Sequence, residues 1–459
     1  MKILTGSLML SMLVACGGGE GAGGAMPRYD YPLAVDSNFA ISGYAIQSTG
    51  VPVTTHLTSF AVSDFIVDAQ GRIVVTGTRT TGTREAWVYR MNADGTPDTT
   101  CGTNGWSSFT TGGPATPQRI RELPDGRYVL GGYIATPSIW AIRATDCAVD
   151  TTFGTAGKAN FPSPSPTELQ DGVIAMEVDT TGRIVASVAA TLSGKLTVAR
   201  FLSTGAVDTT FGTAGLSQTS TTDGATPKPW ALALRSDGTV LVAASMQYSS
   251  QVGYWAGFIQ LQPNGQLDTT FGVNGFVSER PNPNYVAQPK ALVILPDGSA
   301  VQTGLTQPGV LVGSVGGVDA YWLKVTANGH KDTSFIGGGL PIWEASPSGR
   351  KASSNYSTAM ISDGGSGLLT CQNWLNVTKV SERQESGTPQ VLVQKRAGSG
   401  QLDTSFHGGG TGWLRRTGDQ TATCMALRRT PTGEVLALMD YGPAENALDE
   451  AFAVVRVSP

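Results

Sequence analysis

The sequence predicts an all-β fold, a seven-bladed β-propeller, on three observations. A nine-residue element recurs seven times, a glycine-turn element recurs seven times between those copies, and helical periodicity is absent. Composition agrees. Glycine supplies 59 of 459 residues and charged side chains only 14%, a balance that suits turns and strands.

The first element is clearest as VDTTFGTAG at 149–157 and 207–215 and LDTTFGVNG at 267–275. Weaker copies are VDSNFAISG at 35–43, PDTTCGTNG at 97–105, KDTSFIGGG at 331–339 and LDTSFHGGG at 402–410. Their aspartates, Asp36, Asp98, Asp150, Asp208, Asp268, Asp332 and Asp403, stand 52 to 71 residues apart. The second element is two apolar stretches around a tight turn, as in PDGRYVLGG at 124–132 and SDGTVLVAA at 236–244. A third strand then ends in its own Gly turn, as in TVARFLSTG at 197–205. Each unit thus reads as four short antiparallel strands, the fourth carrying the Asp-Thr-Thr-Phe-Gly element.

The two ends of the chain complement one another. The last unit stops at AFAVVRVSP, a third strand with no fourth, while VDSNFAISG is a fourth-strand copy with no unit of its own. Pairing of the N-terminal strand with the C-terminal blade would close the ring and leave no open edge.

The repeated residues suit structural roles. Asp and Thr can bond nearby amides in a turn, Gly tolerates positive φ, and Phe can pack between blades. A cation recurs in the third strand as Arg90, Arg143, Arg200, Lys324, Lys395 and Arg456, with Gln260 the exception. Pairing with the nearby Asp is the expected role.

The N-terminus reads as an export signal. Lys2 precedes the apolar run Ile3 to Val14, too short to span a bilayer. Leu13-Val14-Ala15-Cys16 resembles a bacterial lipobox, which implies lipidation of Cys16. The expected organisation is a signal peptide at 1–15, a Gly-rich tether at 16–27 and one propeller at 28–459. Gly17 in place of Asp favours the outer membrane by resemblance to lipoprotein sorting signals, facing either the periplasm or the outside. In that oxidising space Cys101 should bridge Cys147, and Cys371 should bridge Cys424, each linking neighbouring blades.

The units resemble the bacterial delta-sixty repeat, in which an apolar strand and a Pro-Asp-Gly turn lead to an Arg-bearing strand and Leu-Asp-Thr-Ser-Phe-Gly. The resemblance runs from Asp36 to Pro459 and is sharpest in the second to fourth units. It implies a propeller-like extracytoplasmic protein and no particular reaction or ligand.

No nucleophile elbow, zinc-protease motif, P-loop or C-x-x-C pair is present, and the three histidines lie in unrelated contexts. No catalytic residue, metal or cofactor is assigned. The net charge of -4 argues against nucleic acid as a partner. The expected function is a lipid-anchored, monomeric binding or scaffolding module for a protein, peptide or carbohydrate. The alternative is an envelope hydrolase or lyase with carboxylates drawn from several blades. Binding is expected on the face opposite the DG turns, where variable connections at 245–254, 372–390 and 440–450 carry Trp255, Trp374 and Tyr441.

Overall fold

The computed structural model describes residues 37–40, 44–52, 58–81, 83–110, 113, 115–134, 136–162, 169–190, 193–248, 253–279, 285–308, 318–336, 354–381, 384–407, 409–414, 422–441 and 449–457. Among these residues the regular structure is β-strand, arranged as seven sheets.

In chain order the first sheet holds β2 (Thr58–Val67), β3 (Ile73–Thr81), β4 (Arg84–Met91) and β5 (Trp106–Phe109). The second holds β6 (Thr116–Glu122), β7 (Tyr128–Ile134), β8 (Thr136–Ile142) and β9 (Lys158–Asn160). The third holds β10 (Leu169–Val178), β11 (Ile184–Ala190), β12 (Leu196–Phe201) and β13 (Leu216–Thr219). The fourth holds β14 (Thr226–Leu234), β15 (Val240–Gln247), β16 (Tyr254–Leu261) and β17 (Phe276–Glu279). Three strands of the fifth are described: β18 (Tyr285–Ile294), β19 (Ala300–Pro308) and β20 (Asp319–Val325). The sixth holds β21 (Ser354–Ser362), β22 (Leu368–Ser381), β23 (Gln384–Arg396) and β24 (Thr411–Leu414).

The seventh sheet draws on both ends of the chain. Its order is β1-β27-β26-β25, with β25 (Ala422–Arg429), β26 (Val435–Tyr441), β27 (Asp449–Val457) and β1 (Tyr44–Pro52). β1 runs antiparallel to β27, with Tyr44 opposite Val455 and Ser48 opposite Ala451. The strand at this position is therefore 44–52, whereas the sequence reading placed it at 35–43. Residues 37–40 form a turn instead. The same shift holds in every unit where both are described. Asp-Thr-Thr-Phe-Gly is the turn that leads into the outer strand, as 98–105 leads into β5.

That turn joins neighbouring blades. The aspartate accepts hydrogen bonds from the amide and hydroxyl of the residue two positions on, as Asp208 does from Thr210 at 3.1 and 2.6 Å. The following residue's amide then donates to the next blade's turn: Gly154 to Thr204 O, Gly212 to Asn264 O and Gly272 to Asn328 O. The Phe lies under that neighbouring turn. Gly265 has φ +84°, and a Cβ there would stand 2.8 Å from the Gly212 amide nitrogen and 3.0 Å from the Phe211 ring. Only glycine fits both the dihedral and the approach. The N-terminal copy behaves alike, since Ala40 N donates to Asp94 O and fully buried Phe39 touches Gly95.

The third-strand cations pair with these aspartates as expected in several blades. Arg90 meets Asp98 at 2.8 Å, Arg200 meets Asp208 at 2.7 Å, and Lys324 meets Asp332 and Lys395 meets Asp403 at 3.0 Å. They also reach across the blade boundary, Arg90 to Ala144 O, Arg200 to Pro263 O and Arg456 to Ala93 O. Two blades solve the problem differently. Arg143 turns to Asp146, and Arg127 from the DG turn takes Asp150 and the Ser203 carbonyl of the next blade. Where Gln260 replaces the cation, Arg235 donates to its side chain at 3.1 Å and to Gly298 O at 2.6 Å. A cation linking adjacent blades is thus retained although its origin in the chain moves.

Cys101 bridges Cys147 and Cys371 bridges Cys424. Each bridge joins adjacent blades across 46 and 53 residues of sequence, for which the chain-entropy picture gives about 2–4 kcal/mol apiece.

Candidate functional site

The first strand of each sheet is the innermost. β2, β6, β10, β14, β18, β21 and β25 pack against one another around the ring. All seven line an axial channel of about 840 Å³, within the size range of small-molecule sites.

Each inner strand carries a register shift at an equivalent place. The shifts fall between Val62 and Asp64, Pro117 and Arg119, Val173 and Ala175, Pro229 and Ala231, Pro289 and Ala291, Ser357 and Ala359, and Cys424 and Ala426. The extra residue in each bulge is Ser63, Gln118, Ile174, Trp230, Lys290, Thr358 and Met425 in turn. A bulge bends the strand and re-aims its side chains. The residue after the bulge is alanine in five strands, which leaves room in the channel. It is Asp64 in β2 and Arg119 in β6.

Charge is concentrated here in a chain otherwise poor in it. The lining holds Arg119, Arg121, Lys290, Arg428 and Arg429 against Asp64, Glu122 and Glu177. Arg121 grips both oxygens of Glu177 at 2.9 and 2.6 Å and reaches Asp64 at 2.8 Å. Arg428 takes the other Asp64 oxygen at 2.6 Å. Asp64 also accepts from the amides of Phe65 and Ile120 at 2.9 and 3.3 Å. Its burial opposes ionisation, but Arg428, Arg121 and Arg119 outweigh that and hold the carboxyl below its ordinary range.

At the DG-turn end, Glu122 accepts from the Ala69 amide at 2.8 Å, and burial raises its carboxyl pKa. Arg429 is spent on the carbonyls of Gly433 and Ser362 at 2.6 and 3.1 Å.

Two cations in the lining bond no carboxylate directly, although the charge of Asp64 acts on Arg119. Arg119 makes one hydrogen bond, to Gln118 O at 2.8 Å. The Lys290 ammonium lies 4.3 Å from the centre of the Trp230 ring, which Lys228 also approaches at 5.3 Å. Burial is the first cause that lowers the pKa of both. For Arg119 the attraction of Asp64 opposes it while Arg121 and Arg428 add to it, and for Lys290 Arg119 and Lys228 add to it.

Of the three aromatic residues singled out in the sequence, the side chains of Trp374 and Tyr441 lie outside the described residues. Trp255 is half-buried and stacks on Tyr248, with ring centroids 4.6 Å apart, against the core of the fourth blade. Trp374 and Tyr441 lie within β22 and β26, opposite Asn355 and Ala422, and not in loops. The segment 372–390 is mostly a long hairpin of β22 and β23, because its residues pair in register from Leu368–Arg396 to Lys379–Glu385. Cys16 and the tether lie outside the described residues.

Sequence reasoning missed the channel. The available signal was charge at alternate positions of an inner strand, as in Arg119 and Arg121, which puts both on one face. Among the described residues no group of three or more His, Cys, Asp or Glu side chains is placed to hold a metal ion.

Fold and site together define an all-β seven-bladed propeller with a charged axial channel. The family model described as "Domain of unknown function (DUF5122) beta-propeller" matches residues 70–100 and 235–271, each a stretch from a DG turn into the next Asp-Thr-Thr. No curated protein matches the sequence. Among solved structures, the chain is similar to polysaccharide lyase Uly1 at 10% identity and a TM-score of 0.48, covering 96% of each chain. It is similar to the β-propeller domain of the Trilobed protease from Pyrococcus furiosus at 11% identity and a TM-score of 0.44, covering 87% of this chain and 98% of that one. It is also similar to a protein of unknown function from Dyadobacter fermentans at 12% identity and a TM-score of 0.40, covering 90% and 100%. Nothing about activity transfers across such distances.

Proposed function

We propose that this chain is a binding module, held at the bacterial outer membrane by a lipid on Cys16, whose ligand enters the axial channel. The observation that carries the reading is the state of the channel carboxylates. Two of the three, Asp64 and Glu177, are engaged by Arg121, and a carboxylate fixed in ion pairs is poorly suited to deliver or accept a proton in turnover; the third, Glu122, sits at the DG-turn end and accepts from the Ala69 amide. The delta-sixty resemblance is consistent with an extracytoplasmic propeller of this kind.

Incubation with acidic and neutral polysaccharides and with peptides should give saturable association without new reducing ends or fragments. Cleavage that is lost in Glu177→Gln would establish the hydrolase or lyase reading instead. For the anchor, Cys16→Ala should leave an unprocessed or mislocalised chain in membrane fractionation. A processed Cys16→Ala protein that still partitions into detergent like the parent would refute lipidation.

A further inference from the structure

We propose that the channel ligand is an anion, a molecule presenting carboxylate or phosphate oxygens to Arg119 and Lys290; this rests on the channel being the binding site. Of the five cations lining the channel, Arg121 and Arg428 are matched by Asp64 and Glu177, and Arg429 is matched by backbone carbonyls. Arg119 feels the charge of Asp64 without bonding its carboxylate, and Lys290 has no carboxylate bonded to it. A guanidinium offers five donors, and Arg119 uses one of them, on its neighbour's carbonyl. Lys290 has three donors and an aromatic face beside it.

Keeping these charges inside costs free energy. Both groups are partly buried, both have lowered pKa values, and Arg119 is itself a positive neighbour of Lys290. The Asp64 charge offsets part of that cost for Arg119 and the Trp230 ring part of it for Lys290, and an anion between them would relieve the remaining repulsion and satisfy the donors.

Geometry supplies the space. Lys290 occupies the bulge of β18, and Arg119 follows the bulge of β6, so both stand at the same level of the ring. At the position Arg119 occupies, five other inner strands have alanine. The result is an open level of small side chains with two cations aimed into it. Arg119 offers a planar fork that fits a carboxylate or phosphate bidentately, and Lys290 adds a point charge.

The test is isothermal titration of the full mature protein at low ionic strength with citrate, inorganic phosphate and sucrose. One-site binding of citrate or phosphate is expected, weakened at least tenfold in Arg119→Gln and in Lys290→Gln and unchanged in Lys331→Gln, a cation outside the channel. Both channel variants should keep the parent's circular dichroism and a cooperative melt, so that lost binding is not lost folding. Citrate alone binding would indicate a carboxylate ligand, and phosphate alone a phosphorylated one. Failure of both anions to bind, or binding that both channel substitutions leave unchanged, would overturn the proposal. Channel-dependent binding of sucrose without either anion would overturn the anion assignment while leaving the binding module intact.

Discussion

A chain shortened to begin at residue 53 is expected to lose its cooperative unfolding transition and to aggregate. The shortening removes β1, whose backbone pairs with β27 from Tyr44 to Ser48 and again at Pro52. It also removes Phe39, buried under Gly95 of the first blade. β27 would then be an open edge with unpaired amides and carbonyls, a template for intermolecular pairing. The single substitution Phe39→Ala isolates the packing part and should cost about 3–5 kcal/mol, as other buried Phe truncations do. Calorimetry and size-exclusion chromatography of the shortened chain check the first outcome. A shortened chain that melts and elutes like the parent would show that β1 contributes nothing to ring integrity.

Asp64→Ala should be the most damaging substitution in the channel. It strips one carboxylate from two arginines, Arg121 and Arg428, and from the amides of Phe65 and Ile120. Removing one partner of a buried ion pair costs about 3–5 kcal/mol because the other charge stays buried. Arg428→Met in the same chain should recover part of the loss. The pH dependence has a definite sign. The folded pKa of Asp64 lies below its ordinary 3.8. Its contribution is therefore complete above that value and is lost as pH falls through the lowered one. Parent and variant should differ by the full amount near neutrality and converge in acid below pH 4, in denaturant titrations at each pH. A difference that stays constant into acid would mean that the carboxylate charge is not what Asp64 supplies.

Much of the architecture was legible because it is repeated. Seven copies of one turn fixed the blade number, and the unmatched halves at the two ends pointed to a shared seventh sheet. The two disulfides followed from where four cysteines fell on that scheme. Strand positions within a unit were less legible. The Asp-Thr-Thr-Phe-Gly turn and the short strand after it share glycines and threonines, so composition did not separate them.

The cation that joins blades was read correctly at Arg90 and Arg200 and wrongly at Arg143. A guanidinium on a long stem can arrive from either turn of a blade, and Arg127 does so. The channel was least legible. Arg428 and Asp64 lie 364 residues apart, and Arg121 and Glu177 lie 56 apart. Each looks like a stray charge in an apolar strand until the ring brings the inner strands together. A Trp beside a variable connection can also cover the end of its own blade, as Trp255 does against Tyr248.

The central claim is that binding resides in the channel and not on the outer connections. A thermal-shift screen of acidic and neutral oligosaccharides, peptides, carboxylates and phosphates, run in parallel on the parent, on Ala231→Trp and on Trp255→Ala, tests it most directly. Ala231 lines the channel at its open level, so the new indole would fill it. The account predicts that compounds stabilising the parent also stabilise Trp255→Ala and fail to stabilise Ala231→Trp. Compounds that still stabilise Ala231→Trp while losing their effect on Trp255→Ala would contradict it.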